Sequence, residues 1–163
     1  MRRFHYLILL VSVSLLGGCE QLPSDDALSR NFQMHRADFQ KLVALAAEDP
    51  GFPRIDAGQI PPRGMTRERS AEYRRLFKQL SIGNGLNRYA AYPAAVFLLA
   101  DSRVPIGGKS QSDGYVYSTV PLVPLVSTLP LPAPLFEVHH GSGHRIAFRR
   151  LDGPWYIFCD ADW

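Results

Sequence analysis

Three histidines crowd the stretch Glu137-Val138-His139-His140-Gly141-Ser142-Gly143-His144. Neutral imidazole is the commonest protein ligand for zinc or copper, and a glycine-rich turn can bring two or three rings toward one ion. His139, His140 and His144 are therefore the metal candidates, with Glu137 the one carboxylate at ligand spacing, and a metal-bound water there would suit a hydrolase. The plainer reading, three polar residues of an exposed loop, needs no ion and is preferred. Ser142 imitates a nucleophile elbow, but that turn requires Gly-x-Ser-x-Gly leading from strand into helix. Here the glycines are immediate neighbours and a strand pattern follows. Gly108-Lys109-Ser110 imitates a phosphate loop, yet Arg103 stands where the Walker spacing needs glycine and no helix follows. No nucleotide is expected. Cys159 ends the apolar run Trp155-Tyr156-Ile157-Phe158, where a thiol packs as a small hydrophobe, and no histidine is placed beside it by local spacing. Neither a catalytic set nor a cofactor is expected.

The remaining cysteine, Cys19, carries a different chemistry. Arg2 and Arg3 precede an apolar stretch from Tyr6 to Leu16, followed by Gly17, Gly18 and Cys19, the layout of a secretory leader. Eleven residues make a helix of about 16 Å, too short for a hydrocarbon core of about 30 Å. Leu16-Gly17-Gly18-Cys19 resembles the bacterial lipobox, which implies cleavage of residues 1–18 and acylation of Cys19. One acyl chain holds a membrane marginally and two hold it stably, so such a protein is tethered through those chains. By resemblance to lipoproteins of Gram-negative bacteria, in which an aspartate at this position favours the inner membrane, Glu20 implies the outer membrane, facing the periplasm, with the inner membrane the alternative. Glu20 to Leu28 reads as a tether of about 30 Å extended reach. A single domain is expected over 29–163, without a disulfide, because Cys159 has no partner once Cys19 is lipidated.

The elements that must position these groups follow from periodicity. Phe32, Phe39, Leu42, Val43 and Ala46 share a helical stripe, so a first helix is predicted over 31–48, capped by Ser29 and stopped by Asp49-Pro50-Gly51. Residues 52–65 form a loop with one short strand near Ile55. A second helix is predicted over 67–80, capped by Thr66, with Tyr73, Leu76, Phe77 and Leu80 inward and a solvated basic face. Gly83-Asn84-Gly85 reads as its exit. Strands are predicted at 94–99 and 114–118, joined by a polar connector. Five prolines between Val120 and Phe136 exclude a helix or a central strand and predict an extended, partly polyproline segment. The clearest hairpin joins 144–150 to 155–159 across Asp152-Gly153-Pro154. Tyr115, Tyr117, Trp155, Tyr156 and Phe158 could line a groove for an envelope glycan, but aromatic residues on strands are more often core.

The sum is an α+β fold, two N-terminal helices on one face of an antiparallel sheet of about four strands. With 46% hydrophobic and 20% charged residues, the 163-residue chain has the composition of one globular domain. Without Arg2 and Arg3 the balance of 18 Lys+Arg against 15 Asp+Glu falls from +3 to +1, so the basic footprint of a nucleic-acid binder is missing.

The motifs LLGGC, FQMHRADFQKLVALAAED, SAEYRRLFKQL, SDGYVYS and DGPWYIF together resemble a group of small, uncharacterised lipoproteins of Gram-negative bacteria. That resemblance implies a location but no activity. The expectation is a non-enzymatic, lipid-anchored periplasmic domain that binds an envelope protein through its sheet edge or proline-rich segment. A metal-assisted hydrolase using Glu137 and the three histidines is the competing one.

Overall fold

A computed structural model describes residues 23–58, 60–103, 110–127 and 144–162. The chain is α+β, with three helices and one six-stranded antiparallel sheet. Helix α1 (Asp25–Met34) begins earlier than the sequence predicts. Ser24, not Ser29, is its cap and accepts the Ala27 N–H, while Asp25 and Asp26 place negative charge in the first turn. Residues 25–28 therefore belong to the folded body, and Leu28 is buried in its core. The single helix predicted over 31–48 is two helices. The chain breaks at His35 (φ −120°, ψ 23°) and resumes as α2 (Arg36–Glu48). Helix α3 (Arg67–Gln79) lies where its stripe predicts, with the Thr66 hydroxyl accepting the Arg69 N–H.

The strands are β1 (Arg54–Ile55), β2 (Gly85–Asn87), β3 (Ala95–Arg103), β4 (Gln111–Ser118), β5 (His144–Asp152) and β6 (Trp155–Asp162), in the order β1-β2-β3-β4-β6-β5. Six strands replace the four expected, because β1 and β2 extend the sheet beyond β3. Gly85 is not a helix exit. It opens β2 at φ +89°, and a Cβ there would stand 2.1 Å from the Ile55 carbonyl oxygen, so only glycine lets β2 pair with β1.

Because side chains alternate along a strand, each sheet face collects its own core. On the helix side Leu98, Tyr115, Trp155 and Ile157 meet Leu28, Phe32, Phe39, Leu42, Leu76 and Phe77. Phe39 is central, its ring 5.4 Å from Phe32, 4.5 Å from Tyr115 and 5.6 Å from Trp155. The Asn31 amide and the Tyr115 hydroxyl inside this layer are paired. The Asn31 amide donates to Leu80 O and to the Tyr115 hydroxyl, which itself donates to Leu28 O. The opposite face carries Phe97, Leu99, Val116, Phe148, Tyr156 and Phe158, packed with Tyr92 and Leu122. Phe97 sits 4.8 Å from Tyr89, 5.5 Å from Tyr92 and 5.2 Å from Phe158. The aromatic strand residues Tyr115, Trp155, Tyr156 and Phe158 are thus core, not groove lining.

Two cation contacts join the first helices to the last hairpin. Arg149 of β5 reaches Asp25 at 2.7 Å and donates to the Ser29 hydroxyl, and Arg36 pairs with Asp152.

Candidate functional site

After β4 the chain turns on Ser118, whose hydroxyl donates to Val120 O at 2.7 Å and accepts the Val120 N–H at 3.3 Å. It then bends at Val123 and Pro124 and meets β5 at a single point. Val126 N donates to Phe148 O at 2.8 Å, Phe148 N donates to Pro124 O at 3.1 Å, and Leu125 and Phe148 form a parallel bridge. Pro124 offers β5 only a carbonyl, which is all this pairing asks of it, so proline is tolerated at the edge.

Burial alternates along this ribbon. Leu122, Pro124 and Val126 turn toward the body, while Pro121, Val123 and Leu125 turn outward. Val120 is 50% exposed, Val123 70% and Leu125 52%. Among the described residues three of the six exposed large hydrophobics lie within this one ribbon, the others being Met34, Ile60 and Tyr89. Apolar side chains scattered singly are ordinary; grouped on one outward face they mark an interaction surface. The proline density of the sequence points to an extended segment here, whereas residues 120–127 bend at Val120, Val123, Pro124 and Ser127 and form no regular strand, touching β5 through one isolated bridge at Leu125. Its pairing with β5 has no signal in the sequence, because the register depends on a strand some twenty residues further along.

The residues singled out for chemistry are not brought together by the described part of the molecule. Cys19, Gly108, Lys109, Glu137, His139, His140 and Ser142 lie outside the described residues. His144 opens β5 and is paired in register with Asp162 of β6. Ser110 leads directly into β4. Among the described residues no group of three His, Cys, Asp or Glu could hold a metal ion, and no helix is long and apolar enough to cross a membrane.

Cys159 is 2% exposed on β6, in register with Asp113 of β4, and its sulfur accepts from the Gln111 amide at 3.6 Å. Burial pushes its thiol well above the ordinary range, and the Asp113 carboxylate pushes it further. A thiol held protonated and shielded is a packing group, since nucleophilic attack needs an accessible thiolate. Tyr92 lies at the other face, its hydroxyl raised by burial and by the Asp160 carboxylate.

No family model matches the chain, and neither the curated proteins nor the solved structures hold a match to it. The class of protein is therefore set by its architecture alone, an α+β domain with helices on one face of an antiparallel sheet and an apolar ribbon along one edge.

Proposed function

We propose that this is a non-enzymatic envelope protein, held at the periplasmic face of the outer membrane by acyl chains on Cys19, which binds another envelope protein through the ribbon 120–125. The observation that carries the binding reading is the exposure of Pro121, Val123 and Leu125 on one segment bridged to the edge strand β5. Placing such side chains in water forgoes burial worth roughly 25 cal/mol per Å2, and a partner surface recovers it. The anchoring reading rests on the leader and on Leu16-Gly17-Gly18-Cys19.

A photo-crosslinking amino acid placed at Val123 or Leu125 in intact cells tests the binding reading, with Ile60 as an exposed apolar control. One reproducible adduct from the ribbon positions is expected, lost in a Val123→Ser, Leu125→Ser double variant whose thermal midpoint is unchanged. Adducts no more frequent than at Ile60 refute it. Mass spectrometry of the native product, expected to begin at an acylated Cys19, tests the anchor separately.

A further inference from the structure

Arg88 follows β2 and is half-buried. One side of its guanidinium donates to Phe52 O, and Nη2 donates to Ala46 O at 2.5 Å in the last turns of α2. Its main-chain N–H donates to Pro53 O at 2.7 Å, which fixes the base of the side chain. No carboxylate pairs with it among the described residues. The neighbouring Asp49 is already held by Arg69 Nε at 2.9 Å and by the Tyr73 hydroxyl at 2.9 Å. A guanidinium has five N–H groups in a fixed fork, so two on backbone carbonyls leave three for a further acceptor.

Arg88 lines an open pocket of about 210 Å3 between α2 and the start of β3. Its other walls include Val43, Ala46, Pro50, Pro93 and Tyr117. Tyr117 has its ring against Trp155 at 5.2 Å, so the phenol is positioned by the core beneath it. The cavity therefore combines one fixed cation and one phenol with apolar walls.

We infer that this cavity binds a small aliphatic carboxylate, its oxygens on Arg88 and the Tyr117 hydroxyl and its alkyl group against Val43, Pro50 and Pro93. The planar fork matches a carboxylate bidentately, and a single cation balances a single negative charge. Phosphate fits less well, because Arg88 is the one cation among the lining residues and leaves its second charge without a partner. The volume is below the roughly 300 Å3 at which drug-sized sites begin, which restricts the ligand to a few heavy atoms. Arg88 also neutralises the carbonyl end of α2, but that role occupies only the N–H group on Ala46 O and needs no cavity.

Calorimetric and NMR titration of the full chain with isobutyrate tests the inference, with isobutyramide and inorganic phosphate as comparison probes. Isobutyrate is expected to saturate with a dissociation constant of about 1–10 mM, the range open to so small a ligand. The amide and phosphate are expected to bind at least about tenfold more weakly, since only the carboxylate recovers a charge-assisted pair with the fork. Arg88→Gln should abolish binding. Because that change can also loosen α2, Ala47→Leu serves as the second variant: it plugs the cavity from an exposed helix position and leaves the Arg88 contacts intact. Loss of binding in Ala47→Leu with an unchanged thermal midpoint supports the site. N-acetyl-alanyl-alanine decides the source of the carboxylate, a chain terminus if it binds more tightly than isobutyrate and a free acid if it binds less. No saturation by isobutyrate at 100 mM, equal binding of the amide, tighter binding of phosphate, or undiminished binding in Ala47→Leu overturns the inference.

Discussion

Replacing Phe39 by alanine probes the link between the helices and the sheet. The ring is fully buried and is in aromatic contact with α1 through Phe32, with β4 through Tyr115 and with β6 through Trp155. Truncating a buried phenylalanine removes its transfer free energy and leaves a cavity, together about 3–5 kcal/mol. Three rigid aromatic neighbours on three elements limit collapse into the gap, so the upper half of that range is expected. Set against a total stability of about 5–15 kcal/mol, the variant keeps its fold but loses a large share of its margin. At roughly 3 °C per kcal/mol for a domain of this size, the thermal midpoint falls by about 10–15 °C. Guanidinium unfolding followed by far-ultraviolet circular dichroism measures the loss directly, with an unchanged slope showing that the denatured state is the same. Val123→Ser on the exposed ribbon should change the stability by less than about 0.5 kcal/mol. A loss for Phe39→Ala below about 1 kcal/mol would refute the argument, because the helix layer could then not be what closes this face of the sheet.

Alkali gives a second handle. The folded state holds the Cys159 proton more tightly than the unfolded chain does, so stability is full below the ordinary thiol value of about 9 and falls as pH rises above it. The slope approaches about 1.4 kcal/mol per pH unit well above that value, so urea unfolding should show a loss of about 1 kcal/mol between pH 9 and 10, flattened in Cys159→Ala. Beyond pH 10 the Tyr115 hydroxyl, pushed up to about 12 by burial, adds a loss of the same sign that Cys159→Ala retains. Gly114→Ala places a Cβ 2.0 Å from the Leu98 carbonyl oxygen and 2.9 Å from Ala100 N, both main-chain atoms of β3. It should cost about 3 kcal/mol or more, read as loss of folded protein on expression. A double-mutant cycle on Asp25 and Arg149, 15% and 22% exposed, should give a coupling of about 1–2 kcal/mol. The same cycle on Arg54 and Asp56, 65% and 54% exposed, should give close to zero.

Much of this architecture is written in the local pattern. The four long strands and their hairpin, the α3 stripe and its threonine cap are all visible because each depends on neighbours within a few residues. The break at His35 is not, since no proline or glycine marks it and Phe32 and Phe39 keep helical spacing across the gap. The start of α1 does have a signal, Ser24 followed by two aspartates, but the low apolar content of that stretch makes it read as a tether. Strand β2 is three residues long, too short for alternation to register, and its glycine speaks equally for a turn. Of the two surfaces put forward, the ribbon was half legible through its prolines. The Arg88 cavity was not legible at all, because its walls come from residues as far apart as Val43 and Tyr117.

The pairing of Arg149 with Asp25 and Ser29, and of Arg36 with Asp152, has a mechanical consequence. A pull on the chain ahead of Ser24 enters the body at Asp25, and Arg149 hands it across to β5 before α1 can peel away. Lifting that helix would break the ionic clasp and bring Leu28 and Phe32 into water at the same moment. If the leash is an acylated Cys19, the load of a tug from the bilayer is shared with the terminal hairpin, and the fold is braced where it is hauled upon.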